Sequence, residues 1–214
     1  MPFFDLVAFD LYGTLLDISG LARRMRPVVG EGAEGLLGRW RKAQIERTWR
    51  LNREGAYEPW DHVTLAALGE VAPELPAKDR KRLAELWLTV PAFPDAAATL
   101  AGLKAAGVRR AVLSNGTRVM ITRALDVAAL GVDRILSCDD VRVYKTDPRV
   151  YALLDTVAGR AHTLFVSSNG WDADGARRDR RTVAWIDRGG DPPSTPPNYR
   201  ITSLSDLIPL LKSR

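Results

Sequence analysis

Short unbroken apolar runs along this chain alternate with longer stretches whose apolar positions recur every three or four residues. Phe4 to Phe9 is the first such run; it closes on Asp10 and a Leu-Tyr-Gly-Thr loop, the pattern of a buried strand ending in a tight turn. Residues 94–107 then predict a helix with Pro94 early and Gly107 as its stop. A second buried strand, Val108 to Leu113, ends at Ser114-Asn115-Gly116, and residues 117–130 give an amphipathic helix. The rhythm continues with a strand at Arg134–Ser137, a helix over Pro148–Ala158, and a strand from Thr163 to Val166 that runs into Ser167-Ser168-Asn169-Gly170. A helix at 173–180, a strand at Thr182–Ile186 and a helix at Ser203–Leu211 complete it. The tract 191–197 holds four prolines and reads as a surface loop.

Alternating strands and helices predict an α/β fold, a Rossmann-like, doubly wound parallel sheet with helices on both faces. Residues 16–90 break the alternation with helical signals only, at Gly35–Arg50, Trp60–Leu68 and Lys78–Leu88. The division expected is a core of residues 1–15 and 91–214 with a helical cap, 16–90, inserted after the first strand. No repeat period is present.

Composition narrows the function classes. With 214 residues, 46% apolar and 27% charged, the chain can bury a substantial core. Its net charge of +5 does not predict nucleic-acid binding, because the basic residues are interleaved with acids, as in Lys78-Asp79-Arg80-Lys81-Arg82. The positive field favours small anions instead. A single cysteine, Cys138, excludes an internal disulfide and suits a reducing compartment. No apolar run approaches a membrane span, and the first ten residues lack the basic-then-apolar order of a secretory signal, so a cytoplasmic protein without membrane partners is expected.

The chemistry gathers where buried strands finish. Asp10, Ser114-Asn115, Ser167 and Asn169 all follow apolar runs, and in an open parallel sheet ligands bind beyond those carboxyl ends. Each taken alone also reads as an ordinary turn or cap residue; three strands delivering polar groups to one edge read as a site. The loop Leu11-Tyr12-Gly13-Thr14 can turn several N–H groups toward an anion.

These residues carry a family resemblance. Phe9-Asp10-Leu11-Tyr12-Gly13-Thr14-Leu15 resembles the first motif of the haloacid dehalogenase superfamily, Leu113-Ser114-Asn115-Gly116 its second, Lys145 its lysine, and Phe165 to Asp172 its fourth. Trp40-Arg41 through Trp49 is similar to the first cap helix of the L-2-haloacid dehalogenases. The first motif is shared with the superfamily's magnesium-dependent phosphatases, the alternative reading. Those carry a second aspartate two positions after the nucleophile, where this chain has Tyr12. Ser167 and Asn169 likewise stand where the phosphatases have magnesium-binding carboxylates, with Asp174 a candidate distractor beside Asp172. A hard dication needs several anionic oxygens, so no metal and no cofactor are expected.

The resemblance implies hydrolytic dehalogenation of short L-2-haloalkanoic acids with inversion. Asp10 would attack the halogen-bearing carbon and form an ester. Ser114 with the N–H groups of Leu11 and Tyr12 would hold the substrate carboxylate, and Arg41 with Asn115 would take the halide. Tyr12, Ile45, Trp60 and Trp171 would supply a dry wall. Lys145, Asn169 and Asp172 would position and deprotonate the hydrolytic water, with Thr14 and Ser167 orienting Asp10 and Lys145, and Tyr151 in support. By pattern alone Arg41 is a surface charge, Trp60 and Trp171 are core, and Lys145 is a loop partner of Asp147. His62 and His162 are read as structural or exposed, and Cys138 as inert. Lys42 and Trp60 depart from the family, which commonly has a glutamine and a smaller aromatic there; the larger indole predicts a preference for two-carbon acids. The partners expected are the haloacid and the released halide, and a homodimer is the common prior for assembly.

Overall fold

The structure, a computed structural model, describes residues 3–211. The first two and last three residues of the expected core therefore lie outside the described residues. Six parallel strands form one sheet in the order β3-β2-β1-β4-β5-β6. They are β1 (Leu6–Phe9), β2 (Arg109–Ser114), β3 (Arg134–Ser137), β4 (Thr163–Ser167), β5 (Thr182–Ile186) and β6 (Tyr199–Ile201). Every residue of β1 and β4 is buried, as expected of central strands covered on both faces.

The chain moves outward from β1 in both directions, first through β2 to β3 and then through β4 to β6, so the switch in strand order falls at β1. Register places Phe9 beside Val112 on one side and Val166 on the other. The residues at and just beyond the carboxyl ends of these strands, Asp10, Ser114-Asn115 and Ser167 to Asn169, thus share one edge. Flanking helices are α5 (Ala96–Ala105), α6 (Arg118–Val127), α7 (Pro148–Ala152), α8 (Gly170–Arg178) and α9 (Leu207–Leu210).

Between β1 and α5 the chain is helical, with α1 (Leu21–Val29), α2 (Ala33–Glu54), α3 (Trp60–Val71) and α4 (Ala77–Glu85). Trp40, Trp60, Val63, Leu68, Leu83 and Trp87 are buried in this insertion, and the Trp40 indole donates to the Thr64 carbonyl at 2.8 Å. Hydrogen bonds at several points join the insertion to the core, two sets of which frame it. At its root, Asp17 N donates to Pro91 O (2.7 Å) and Phe93 N to Leu15 O (2.9 Å). Further out, the Asn52 side chain clamps Tyr144, donating to its carbonyl and accepting from its amide, both at 2.9 Å.

The structure differs from the sequence expectations at several boundaries. Helix α1 was not expected, because Pro27 lies inside it and disguises the pattern. The expected helix 148–158 ends at Ala152 and continues as a 3-10 turn over Leu153–Thr156, where Asp155 receives the buried Arg181 guanidinium. Helix α8 begins at Gly170, not 173, since the Asn169 carbonyl already accepts from Asp172 N and Ala173 N. Strand β6 follows the proline loop and is too short to stand out by pattern. Much of the expected last helix is a 3-10 turn, Leu204–Asp206, before α9.

Candidate active site

Asp10 lies at the mouth of β1, with 7% of its surface exposed. Its carboxylate is fixed by donors from three parts of the chain. Lys145 Nζ donates to Oδ1 at 2.9 Å, while Asn169 Nδ2 (2.8 Å) and Thr14 Oγ1 (3.3 Å) donate to Oδ2. Thr14 is itself held by the Ser168 amide at 2.9 Å. Gly13 makes this loop possible. Its φ of +88° is a conformation that suits glycine, and it lets the chain reverse so that Gly13 N reaches Leu16 O.

Lys145 is fully surrounded, with its ammonium between Asp10 Oδ1 and Asp172 Oδ2 (2.8 Å) and one side over the Phe165 ring. Burial opposes the charge, but the two carboxylates outweigh it and hold the lysine pKa above its usual value. Asp172 also accepts from Ser167 Oγ (3.0 Å) and Tyr151 OH (2.7 Å). Burial, with the nearby charge of Asp10, pushes its pKa up against the pull of Lys145. The hydroxyl of Ser167 therefore orients Asp172 and not Lys145, the partner the sequence had suggested, because Ser167 ends β4 and Asp172 lies in the first turn of α8 just after it, while the lysine arrives from another loop.

Other polar groups on this edge are fixed at one end and free at the other. Asn115 Oδ1 accepts from Lys145 N and Cys138 Sγ, both at 3.0 Å, while its Nδ2 donates to none of the described residues. Ser114 Oγ accepts from Gly116 N (3.2 Å), and its own O–H donates to none of the described residues. The amides of Leu11 and Tyr12 have no acceptor among the described residues either. Arg41, on α2, has no hydrogen bond or ion pair there; its guanidinium faces Trp87 at 5.3 Å. Burial lowers its pKa, and Asp10 and Tyr12 act in the opposite direction.

Together with Tyr12, Ile45, Trp60 and Trp171, these groups enclose a cavity of about 20 Å3. The structure thus brings all the expected pocket side chains together. Leu11 does not line this cavity; its side chain is buried in the core. Thr14, Tyr151, Ser167 and Asp172 stand one contact further out, behind Asp10 and Lys145. Tyr12 is pinned by its hydroxyl, which donates to Trp87 O at 3.0 Å, and burial raises its pKa.

Several neighbours read as bystanders or alternatives. Asp147 pairs with Arg149 at 2.8 Å, not with Lys145. Asp174 is spent on the proline loop, accepting from Ser194 N, Ser194 Oγ and Thr195 N. The Cys138 thiol is pushed up to about 12 by burial, so it is no nucleophile. Two functional neighbours were missed. Asn52 shares the face of α2 that carries Arg41 and Ile45, at helical spacing, and that spacing was an available signal. Gly175 on α8 lies so close to Tyr151 and Thr146 that a methyl group there would come within 2.5 Å of the tyrosine hydroxyl.

No group of three or more His, Cys, Asp or Glu side chains gathers to hold a metal among the described residues. The Asn169 amide nitrogen sits 2.8 Å from Asp10 Oδ2 and 3.4 Å from the Tyr12 carbonyl, so an N–H donor occupies the approach to both oxygens. Among the described residues no helix is long and apolar enough to cross a membrane.

A family model described as haloacid dehalogenase-like hydrolase matches residues 4–178. The (S)-2-haloacid dehalogenase 4A of Burkholderia cepacia is 38% identical, over 95% of this chain and 93% of its own. The (S)-2-haloacid dehalogenase of Pseudomonas sp. strain YL is 35% identical, over 100% and 97%. Among solved structures, the L-2-haloacid dehalogenase of Xanthobacter autotrophicus with chloropropionic acid covalently bound superposes with a TM-score of 0.92 at 28% identity, covering 98% of this chain and 99% of that one.

Proposed function

The chain belongs to the haloacid dehalogenase-like hydrolases, and from that premise we propose that it hydrolyses short L-2-haloalkanoic acids to 2-hydroxy acids with inversion. One observation carries the reading: Asp10 is held by three donors, and unused donors stand in two sets around the cavity it faces. Leu11 N, Tyr12 N and the Ser114 hydroxyl suit a carboxylate. Arg41 and Asn115 Nδ2 suit a halide, whose charge grows as the carbon–halogen bond breaks.

An Asp10 oxygen attacks the halogen-bearing carbon from behind, the halide leaves with the bonding pair, and an ester remains on Asp10. Water then adds to the ester carbonyl. Asp172, whose raised pKa makes it the better proton acceptor, takes the water proton; Asn169 Oδ1 and Lys145 orient the water. The departing alkoxide regains that proton as the 2-hydroxy acid, and Asp10 sheds its own proton to solvent. The proposal needs no metal, because Asn169 presents a donor where a dication would have to meet Asp10 and the Tyr12 carbonyl. The same arrangement weighs against a magnesium-dependent phosphatase.

Residues 16–90 act in this proposal as a cap over the core, supplying Arg41, Ile45 and Trp60. The indole of Trp60 narrows the cavity and favours two-carbon acids. Cytoplasmic location is supported by the single buried thiol, and a homodimer, checked by light scattering, belongs to the same proposal. The deciding experiment is halide release from chloroacetate and from each 2-chloropropionate enantiomer, with chelator present and Asp10→Asn as control. Chelator-insensitive release from the L enantiomer is expected. A requirement for Mg2+ would sink the reading.

A further inference from the structure

The reaction cavity, at about 20 Å3, has room for roughly one water. Trp171 lines both this narrow cavity and the clefts outside it, so a haloacid entering from them passes that side chain. The insertion is tied to the sheet both at its root, through Leu15, Asp17, Pro91 and Phe93, and at the Asn52–Tyr144 clamp. Any widening there therefore falls to a side chain. Tyr12 is pinned to Trp87 O, Trp60 is buried, and Arg41 rests on the Trp87 ring at 5.3 Å. Trp171 is half-buried, its indole N–H meets no acceptor among the described residues, and its ring touches Trp49 only edge-on, at 6.4 Å.

Behind Trp171 lies an open cleft of about 540 Å3 between α2 and α8. Arg53, in the last turn of α2, and Arg178, in the last turn of α8, both line it and are exposed. Neither has an ion pair or hydrogen bond among the described residues. The cleft's two carboxylates are occupied, Asp147 by Arg149 and Asp174 by the Ser194–Thr195 backbone. Trp171 also borders a second cleft, of about 500 Å3, lined by Asp17 and Asp191, by Arg188, which is paired with Asp95 at 2.8 Å, and by Arg41, which already lines the reaction cavity. Arg53 and Arg178 are thus free guanidinium groups that lie outside the reaction cavity.

We infer that the cleft between α2 and α8 is an outer carboxylate-binding site, where Arg53 and Arg178 hold the incoming haloacid anion before it passes Trp171 into the reaction cavity. This rests on the haloacid reading above. Free guanidinium groups at a cleft mouth raise the local concentration of an anion, an effect that salt screens.

The test is steady-state chloride release from L-2-chloropropionate by the wild type, Arg53→Gln/Arg178→Gln and Arg53→Lys/Arg178→Lys, at ionic strengths of about 10 mM and about 500 mM. The glutamine pair is expected to lower kcat/KM about tenfold at low salt through KM, with kcat held. That gap should close at high salt, and the lysine pair should keep most of the wild-type value. Equal kcat/KM at low salt overturns the proposal, as does a loss that persists at high salt or falls on kcat. Absence of halide release by the wild type overturns the haloacid reading itself, a result visible before any variant is compared.

Discussion

The sheet edge and the helical insertion both face the reaction cavity, but they hold their contributions differently. On the sheet side, Asp10, Lys145, Asp172, Ser167, Tyr151 and Asn169 form one continuous hydrogen-bonded network. On the insertion side, Arg41 rests on Trp87 through a cation–π contact, and Trp60 packs beside Tyr144 at 5.9 Å between ring centroids. The networked side fixes angles and charges for bond formation. In the proposed reaction the packed side sets shape and receives a leaving group whose size varies. Changes on the first should abolish the reaction, and changes on the second should redirect it.

The sharpest way to break this contrast is Asp10→Asn, which should reduce halide release at least about 10^4-fold and leave no ester-linked adduct by intact-protein mass spectrometry. Lys145→Met comes next. It leaves Asp10 and Asp172 buried without their cation, and urea denaturation at neutral pH should register a loss of roughly 3–5 kcal/mol. The sign with pH follows from Asp172: a carboxylate whose folded pKa is raised penalises the folded state above that pKa and releases the penalty below it. The variant should therefore regain stability as pH falls through the folded value of Asp172. In the wild type, Lys145 has a folded pKa raised above its unfolded value near about 10.4, so its contribution is fully present below that pH and is lost only in more alkaline solution.

Smaller effects belong to the insertion. Arg41→Ala should lower kcat by about 10^2–10^3-fold, the scale of removing one donor from a developing anion. Its cost in stability should stay near about 0.5–1 kcal/mol, the worth of the cation–π contact it loses. If thermal melting instead shows Arg41→Ala unfolding as readily as Lys145→Met, the contrast fails. Trp60→Phe should give the smallest change: a relative gain of about tenfold for 2-chlorobutyrate over chloroacetate, measured as a ratio of kcat/KM.

The sheet side was legible in the sequence because apolar runs mark buried strands, and a polar residue straight after such a run has nowhere to go but the shared edge. That logic located Asp10, Ser114, Asn115, Ser167 and Asn169 without the fold. It did not reveal that Ser167 serves Asp172, since hydrogen-bond partners depend on how separate loops meet. Arg41 was legible only by resemblance, as its neighbours Arg39 and Lys42 make the helix look like a solvated face. Asn52 and Tyr144 are 92 positions apart, and no local pattern announces a clamp between them. Helix α1 and strand β6 escaped for opposite reasons, the one masked by Pro27 and the other only three residues long.

Gly175 shows how far the demands of catalysis reach into residues that perform none. A methyl group there would press on the Tyr151 hydroxyl at 2.5 Å and on the Thr146 side chain at 2.7 Å, and the tyrosine carries Asp172 with it. In a deep mutational library selected for growth on a haloacid, this position should behave as though it were chemical, tolerating no substitute while touching no substrate.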